Sequence, residues 1–519
     1  MSRKIRVAVL LVLALAWVGF RYWSAHAPKP AETTAAATGP VEPAEPARRF
    51  GELAFQPCTL TSAVASANLE ALCSSLKVAE NPAAPQARNI DLKIAWLQAD
   101  DGKDGEDDPV FFVAGGPGQS ATEVASFVEP ALHEVLKKRD VILVDQRGTG
   151  GSNALQCLDS DGKPLAEPGD DATGPEAIAD YAKRCAEGLR SRADTRFYTT
   201  TEAIADLDAV RAAMQVKQID LIGVSYGTRV VQQYAKHYPQ QTRAIVIDGV
   251  APNDLVVGGE FAHTFEDAIA LQAEQCRKNA ACAKRFPVDT REQLRRVMAT
   301  LREQPATIEY RNPETAEVVQ GKVTADTVTG LAFSFSYAPQ TASLLPLVLD
   351  EAAQGRYGPL MALAELSGKQ MGGQMNRAMQ WSVICAEDAD RYQVPAADGH
   401  SLFGADLAKM FFAACPAWPH GQRPDDFTQP LHSDVPALLL SGELDPVTPP
   451  RYAEKVLKGL PNGRHLIAPG QGHNVMGQGC IPRLLAQFLE TTDAKALDVS
   501  CVDTLADVPA FTSFNGWEP

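Results

Sequence analysis

The sequence predicts an α/β fold, a mostly parallel sheet with helices on both faces, carrying a large and mainly helical insertion. Three observations predict it. Short apolar runs recur at residues 110–113, 141–144, 219–224, 244–247, 437–440 and 466–468. Segments of helical period lie between most of them, and strands buried on both faces read as continuous apolar runs. The alternation then breaks after Asp248-Gly249-Val250 and resumes at Pro436.

Taken in order, the chain opens on a targeting segment. Arg3, Lys4 and Arg6 precede an uncharged apolar run over 7–20, closed by Arg21. That run is short for a membrane span and suits a secretory signal. Ala25-His26-Ala27 offers a small-x-small cleavage site, although Pro28 disfavours the cut. Residues 1–27 are therefore expected to be a signal peptide or an N-terminal membrane anchor, and the protein to be exported to the periplasm or secreted. Residues 28–48, rich in Pro, Ala, Thr and Glu, read as a disordered linker.

Residues 49–254 are expected to form the first part of the core. Ile90, Leu92, Ile94 and Trp96 alternate with Asp91, Lys93 and Ala95, the period of a strand with one drier face. Thr199-Thr200-Thr201-Glu202 reads as a capping box before Ile204, Leu207, Val210 and Met214 at helical spacing. The turn at 145–152 reads as structural, with Arg147 paired to a carboxylate. Residues 255–430 read as a helical lid inserted into the core and broken by one hairpin over 306–323. Residues 431–519 return to the core. One core seldom serves 519 residues, which fits this division.

Hydrophobic residues make up 45% of the chain, enough for a sizeable core. A formal net charge of -16 argues against nucleic acid as a partner, since phosphate binding needs clustered Lys and Arg. Ten cysteines fit an oxidising compartment. Their order suggests near-neighbour disulfides: Cys58 with Cys73, Cys157 with Cys185, Cys276 with Cys282, Cys385 with Cys415, and Cys480 with Cys501. No CxxC occurs and no cysteine has a histidine at ligand spacing, so neither a metal nor another cofactor is expected. Nothing in the sequence sets an oligomeric state.

The chemistry centres on Gly223-Val224-Ser225-Tyr226-Gly227, between a strand-like run and a helix-like one. A Gly-x-Ser-x-Gly in that setting is a nucleophile elbow. A serine hydroxyl needs an adjacent base, and the base needs an orienting carboxylate. His473, in Pro469-Gly470-Gln471-Gly472-His473, follows a late apolar run, and Asp445 follows the preceding one. Glu443, two residues from Asp445, is a rival acid. An oxyanion hole needs two N–H donors. Tyr226, after the nucleophile, offers one. Gly116, in Gly115-Gly116-Pro117-Gly118, offers the other.

Together these residues resemble the α/β-hydrolase peptidases of the prolyl iminopeptidase and tripeptidyl aminopeptidase type. The likeness runs from about Cys73 to Cys501. It is carried by 115–118, 145–152, 223–228, 248–250 and the segment from Gly442 through His473 to Cys501. Ala114 stands where prolyl iminopeptidases usually have His before Gly-Gly-Pro-Gly, which favours the secreted tripeptidyl branch. The resemblance implies an α/β-hydrolase fold and an aminopeptidase acting on peptide substrates through an acyl-enzyme on Ser225. An aminopeptidase must also recognise a free ammonium, and Glu387 and Asp388 are the candidates, with a solvated acidic turn as the alternative. A general esterase of the same fold and a non-catalytic binding protein are the competing functions. The base is expected to lose activity below about pH 6 as His473 takes up a proton.

Overall fold

The computed structural model describes residues 48–62, 68–100, 108–168, 174–372, 375–393, 402–404 and 406–517. The signal segment and nearly all of the linker expected from the sequence lie outside these residues. Among the described residues no helix is long and apolar enough to cross a membrane.

In chain order, β1 (Arg48–Phe50), β2 (Leu53–Leu60), β3 (Leu69–Ala79), β4 (Asn89–Leu97) and β5 (Val110–Val113) lead to α1 (Ala125–Leu136) and β6 (Val141–Val144). Then come α2 (Pro175–Leu189), α3 (Thr200–Ala213), β7 (Ile219–Val224), α4 (Tyr226–His237) and β8 (Thr242–Asp248). A helical segment follows, with α5 (Phe261–Lys278), α6 (Ala280–Arg285) and α7 (Thr290–Glu303), and then the hairpin β9 (Ala306–Arg311) and β10 (Val318–Val323). It continues through α8 (Ala325–Phe335), α9 (Pro339–Ala342), α10 (Leu345–Ala353), α11 (Gly358–Gly372), α12 (Arg377–Glu387) and α13 (Asp406–Phe412). The chain closes with β11 (Ala437–Gly442), α14 (Pro450–Leu457), β12 (Gly463–Ala468) and α15 (Ile481–Thr491).

Ten strands form one sheet in the order β1-β2-β3-β4-β6-β5-β7-β8-β11-β12. The six from β6 to β12 are parallel, and the N-terminal strands join antiparallel through β4. The inner parallel strands β6, β5, β7, β8 and β11 are mostly apolar because both faces are covered, whereas the edge strand β12 carries Arg464 and His465 and leaves Ile467 exposed. Leu221, Ile245 and Leu439 pack into one cluster, while their neighbours Ile222, Val246 and Leu440 pack into the cluster on the opposite face. The period of two is still present, but both phases are dry.

β2 and β3 have no counterpart among the expected strands. β3 alternates weakly, with intermediate and exposed residues along its length, so its pattern carries little amphipathic signal. Thr199 caps α3 as expected, but its hydroxyl accepts from Thr201 N–H rather than from the third residue of the helix. The same hydroxyl donates to Glu202 Oε2 at 2.5 Å. Arg147 is 1% exposed and makes a bidentate pair with Asp206, at 2.7 Å on both nitrogens. All five disulfides join the near-neighbour cysteines, and no cysteine is free. Cys58–Cys73 bridges the adjacent strands β2 and β3, and Cys385–Cys415 ties α12 to the segment beyond α13.

Candidate active site

Ser225 sits between β7 and α4 with φ at 54°, a left-handed conformation unusual for a residue with a side chain. The glycines beside it are required by space. A Cβ on Gly223 would lie 2.5 Å from the Gly227 carbonyl oxygen, and one on Gly227 would lie 2.4 Å from that of Val113. The turn is locked by Thr228, whose hydroxyl donates to the Ser225 carbonyl at 2.6 Å and accepts from Ala251 N–H at 2.8 Å. Ser225 thus stands at the N-terminus of α4, where the helix dipole favours developing negative charge.

His473 Nδ1 lies 2.7 Å from Asp445 Oδ2. A carboxylate only accepts, so Nδ1 carries the proton and a neutral ring keeps Nε2 as an acceptor. Asp445 is itself fixed by three more donors: Val447 N–H at 2.9 Å, Thr448 N–H at 2.8 Å and the Thr448 hydroxyl at 2.8 Å. The backbone of His473 donates to the Tyr337 carbonyl at 2.7 Å, and the Tyr337 ring meets the imidazole edge-on at 5.3 Å. Burial alone would push the imidazole down, but the Asp445 charge and hydrogen bond, with the Asp248 charge, raise it above its ordinary 6.5. Burial likewise works to raise Asp445, and the His473 charge with these hydrogen bonds brings it below its ordinary value.

Glu443, the rival acid, points elsewhere and accepts from Gly470 N–H at 2.8 Å. Gly116 and Tyr226 both line a cavity of about 390 Å³ at Ser225, beside Thr448. Gly116 has φ at 109° and no room for a side chain, since a Cβ there would lie 2.6 Å from Gly118 N.

Glu387 and Asp388, the pair expected to recognise a free ammonium, are buried. They are 1% and 0% exposed and do not line the cavity at Ser225. Asp388 accepts from Arg229 Nη1 at 2.9 Å and from Arg391 Nη2 at 2.6 Å. Glu387 accepts from Thr200 N–H at 2.7 Å and from the Thr200 hydroxyl at 3.0 Å. Burial pushes Glu387 up to about 7 against the pull of Arg229. Arg229 is fully buried one turn after Ser225, and a buried guanidinium demands a carboxylate. These acids pair with the protein's own cation Arg229, and their burial rules out a solvated turn.

Sequence reasoning also missed two residues. Thr448 contacts both members of the His473–Asp445 pair, its hydroxyl lying 3.1 Å from His473 Nδ1. Asp248 accepts from Val475 N–H at 2.7 Å and Met476 N–H at 2.8 Å through Oδ2, and burial pushes it up to about 7. Its position at the end of an apolar strand, where an acid is costly, was the available signal.

Residues 400–501 match the family model of the TAP-like proteins. Over 404 residues the chain is 27% identical to the serine protease Hip1 of Mycobacterium tuberculosis (strain ATCC 25618 / H37Rv), covering 72% of this chain and 77% of that protein. It is 28% identical over 189 residues to the tripeptidyl aminopeptidase of Streptomyces lividans, covering 34% of this chain and 35% of that one. Among solved structures, a proline iminopeptidase of Mycobacterium smegmatis aligns over 82% of this chain and 100% of its own, at 16% identity and a TM-score of 0.39. The chain is a serine hydrolase of the α/β-hydrolase fold with a TAP-like region, related to serine peptidases.

Proposed function

We propose that this serine hydrolase is an exported aminopeptidase that cleaves peptides from their free N-termini through an acyl-enzyme. Ser225 is the nucleophile, His473 the base and Asp445 its orienter. The observation that carries this reading is the 2.7 Å contact between His473 Nδ1 and Asp445 Oδ2, on loops after β12 and β11 in the order Ser, acid, His. His473 takes the Ser225 proton as Oγ attacks the scissile carbonyl. The N–H groups of Gly116 and Tyr226 receive the oxyanion. His473 then gives its proton to the leaving amine, and water hydrolyses the ester on Ser225 with His473 again as base.

The relatives named for serine protease and tripeptidyl aminopeptidase activity support a peptide substrate. Five disulfides support an oxidising compartment. The helical segment between β8 and β11 acts as the lid, a role supported by Phe261, Phe333 and Tyr337, which line the cavity at Ser225 from it. The test is a comparison of peptidyl anilides with their N-acetylated forms. Free amines should be cleaved at least tenfold faster, and equal rates would contradict an aminopeptidase.

A further inference from the structure

Met375 stands in the connection between α11 and α12 and lines the cavity at Ser225 together with Gly116. Its sulfur reaches the Gly115–Gly118 loop. A Cβ on Gly116 would lie 2.9 Å from Met375 Sδ, so the thioether fills the space that a side chain there would need. The next residue holds it in place. Asn376 N–H donates to the Gly118 carbonyl at 2.9 Å, and a Cβ on Gly118 would lie 2.5 Å from the Asn376 carbonyl oxygen. The Asn376 side chain caps α12, accepting from Met379 N–H at 2.9 Å. The sulfur is thus fixed beside Gly116, while Met375 stays partly exposed to the cavity. Met214, Met298, Met379 and Met476 are buried.

Resting on the reading of Gly116 as an oxyanion donor, we propose that Met375 is an oxidative modification site, where a hydroperoxide converts the thioether to a sulfoxide and so shuts down hydrolysis at Ser225. The step is a two-electron transfer of one oxygen. A sulfur lone pair attacks an oxygen of the hydroperoxide, the S–O bond forms and the O–O bond breaks. The departing oxygen takes up the proton of the transferred one and leaves as water when the oxidant is hydrogen peroxide. Sulfur is oxidised and the peroxide is reduced. A thioether is only a weak acceptor, whereas a sulfoxide carries a strongly polar oxygen. Beside Gly116, that oxygen accepts from the N–H before the oxyanion forms. Loss of one oxyanion donor costs about 10²–10³ in kcat.

The experiment is hydrolysis of p-nitrophenyl acetate and of a peptidyl anilide by the full chain during a time course in hydrogen peroxide. Fragment-ion mass spectrometry places each added oxygen, and the fragments must separate Met371 from Met375, which share the tryptic peptide Gln370 to Arg377. The expected result is that kcat falls at least tenfold in proportion to the fraction of Met375 oxidised, with KM changed less than about threefold. Met375→Leu offers no sulfur and should keep at least half of its own untreated rate under the same exposure. Met371→Leu should lose its rate as the wild type does. Met375 left unoxidised, an oxidised Met375 with full rate, or a Met375→Leu enzyme as sensitive as the wild type would each overturn the proposal. If Met375→Leu does not fold, the proportion between oxidised Met375 and lost rate in the wild type decides alone. Cleavage of the ester but not the anilide would contradict the aminopeptidase reading instead, and the ester rate would still read what oxidation does.

Discussion

The backbone N–H of Ser225 donates to the carbonyl of Asp248 at 2.8 Å. The carboxylate of the same Asp248 holds the two N–H groups that follow the His473 loop, at Val475 and Met476. One buried residue at the end of β8 therefore fixes Ser225 from one side and the His473 loop from the other. A Cβ on the next residue, Gly249, would lie 2.9 Å from His473 Cε1, so the imidazole packs directly over this link.

Removing that link should loosen the base. Asp248→Ala leaves two buried N–H groups unpaired, at about 1–3 kcal/mol each, and should lower stability in urea unfolding by an amount in that range or above. Asp248→Asn keeps an acceptor but removes a charge that helps raise His473. It should shift the acid limb of kcat/KM downward in pH, a change that a purely structural role would not produce.

The pH dependence has a definite sign. His473 is raised above 6.5 in the folded enzyme, so it stays protonated to a higher pH than a free imidazole. The base form, and with it kcat/KM, should be lost as pH falls through a midpoint above 6.5. This moves the limb upward from the value near pH 6 that an unperturbed histidine suggests. A midpoint below 6 in the wild type would contradict the Asp445 pairing as the dominant influence.

The two candidate acids can be separated directly. Asp445→Asn should lower kcat by about 10⁴, the size expected when the base loses its orienting carboxylate. Glu443→Gln removes only an acceptor for Gly470 N–H and should change kcat by less than about fivefold. Steady-state rates on one anilide substrate decide between them.

Arg147 is the test of the structural reading of its turn. Replacing it with Met leaves Asp206 buried without its cation, which costs about 3–5 kcal/mol. Chemical denaturation should show that loss, while KM for any folded fraction stays close to the wild type.

Much of this was legible because local pattern and chemistry coincide. The elbow around Ser225 was visible as two obligatory glycines between an apolar run and a helix. The loops of Asp445 and His473 were visible because each follows a short apolar run, at 437–440 and 466–468. What was not legible depends on distant pairing. Glu387 and Asp388 look like a free acidic pair until Arg229, more than 150 positions earlier, folds against them. Arg229 itself held a clue, since a charge between Thr228 and Val230 on a helix that must pack against the sheet has to find a buried partner. β3 was hidden because its residues are intermediate or exposed along its length, and the rings of Phe261, Phe333, Tyr337 and Phe411 around Ser225 were hidden because they come from α5, α8, the turn after α8 and α13.

The most direct test of the central claim is mass spectrometry of the protein after reaction with a fluorophosphonate. The wild type should gain one adduct, mapped to the peptide that contains Ser225, and Ser225→Ala should gain none. An unlabelled wild type, or an adduct on any other residue, would contradict Ser225 as the nucleophile.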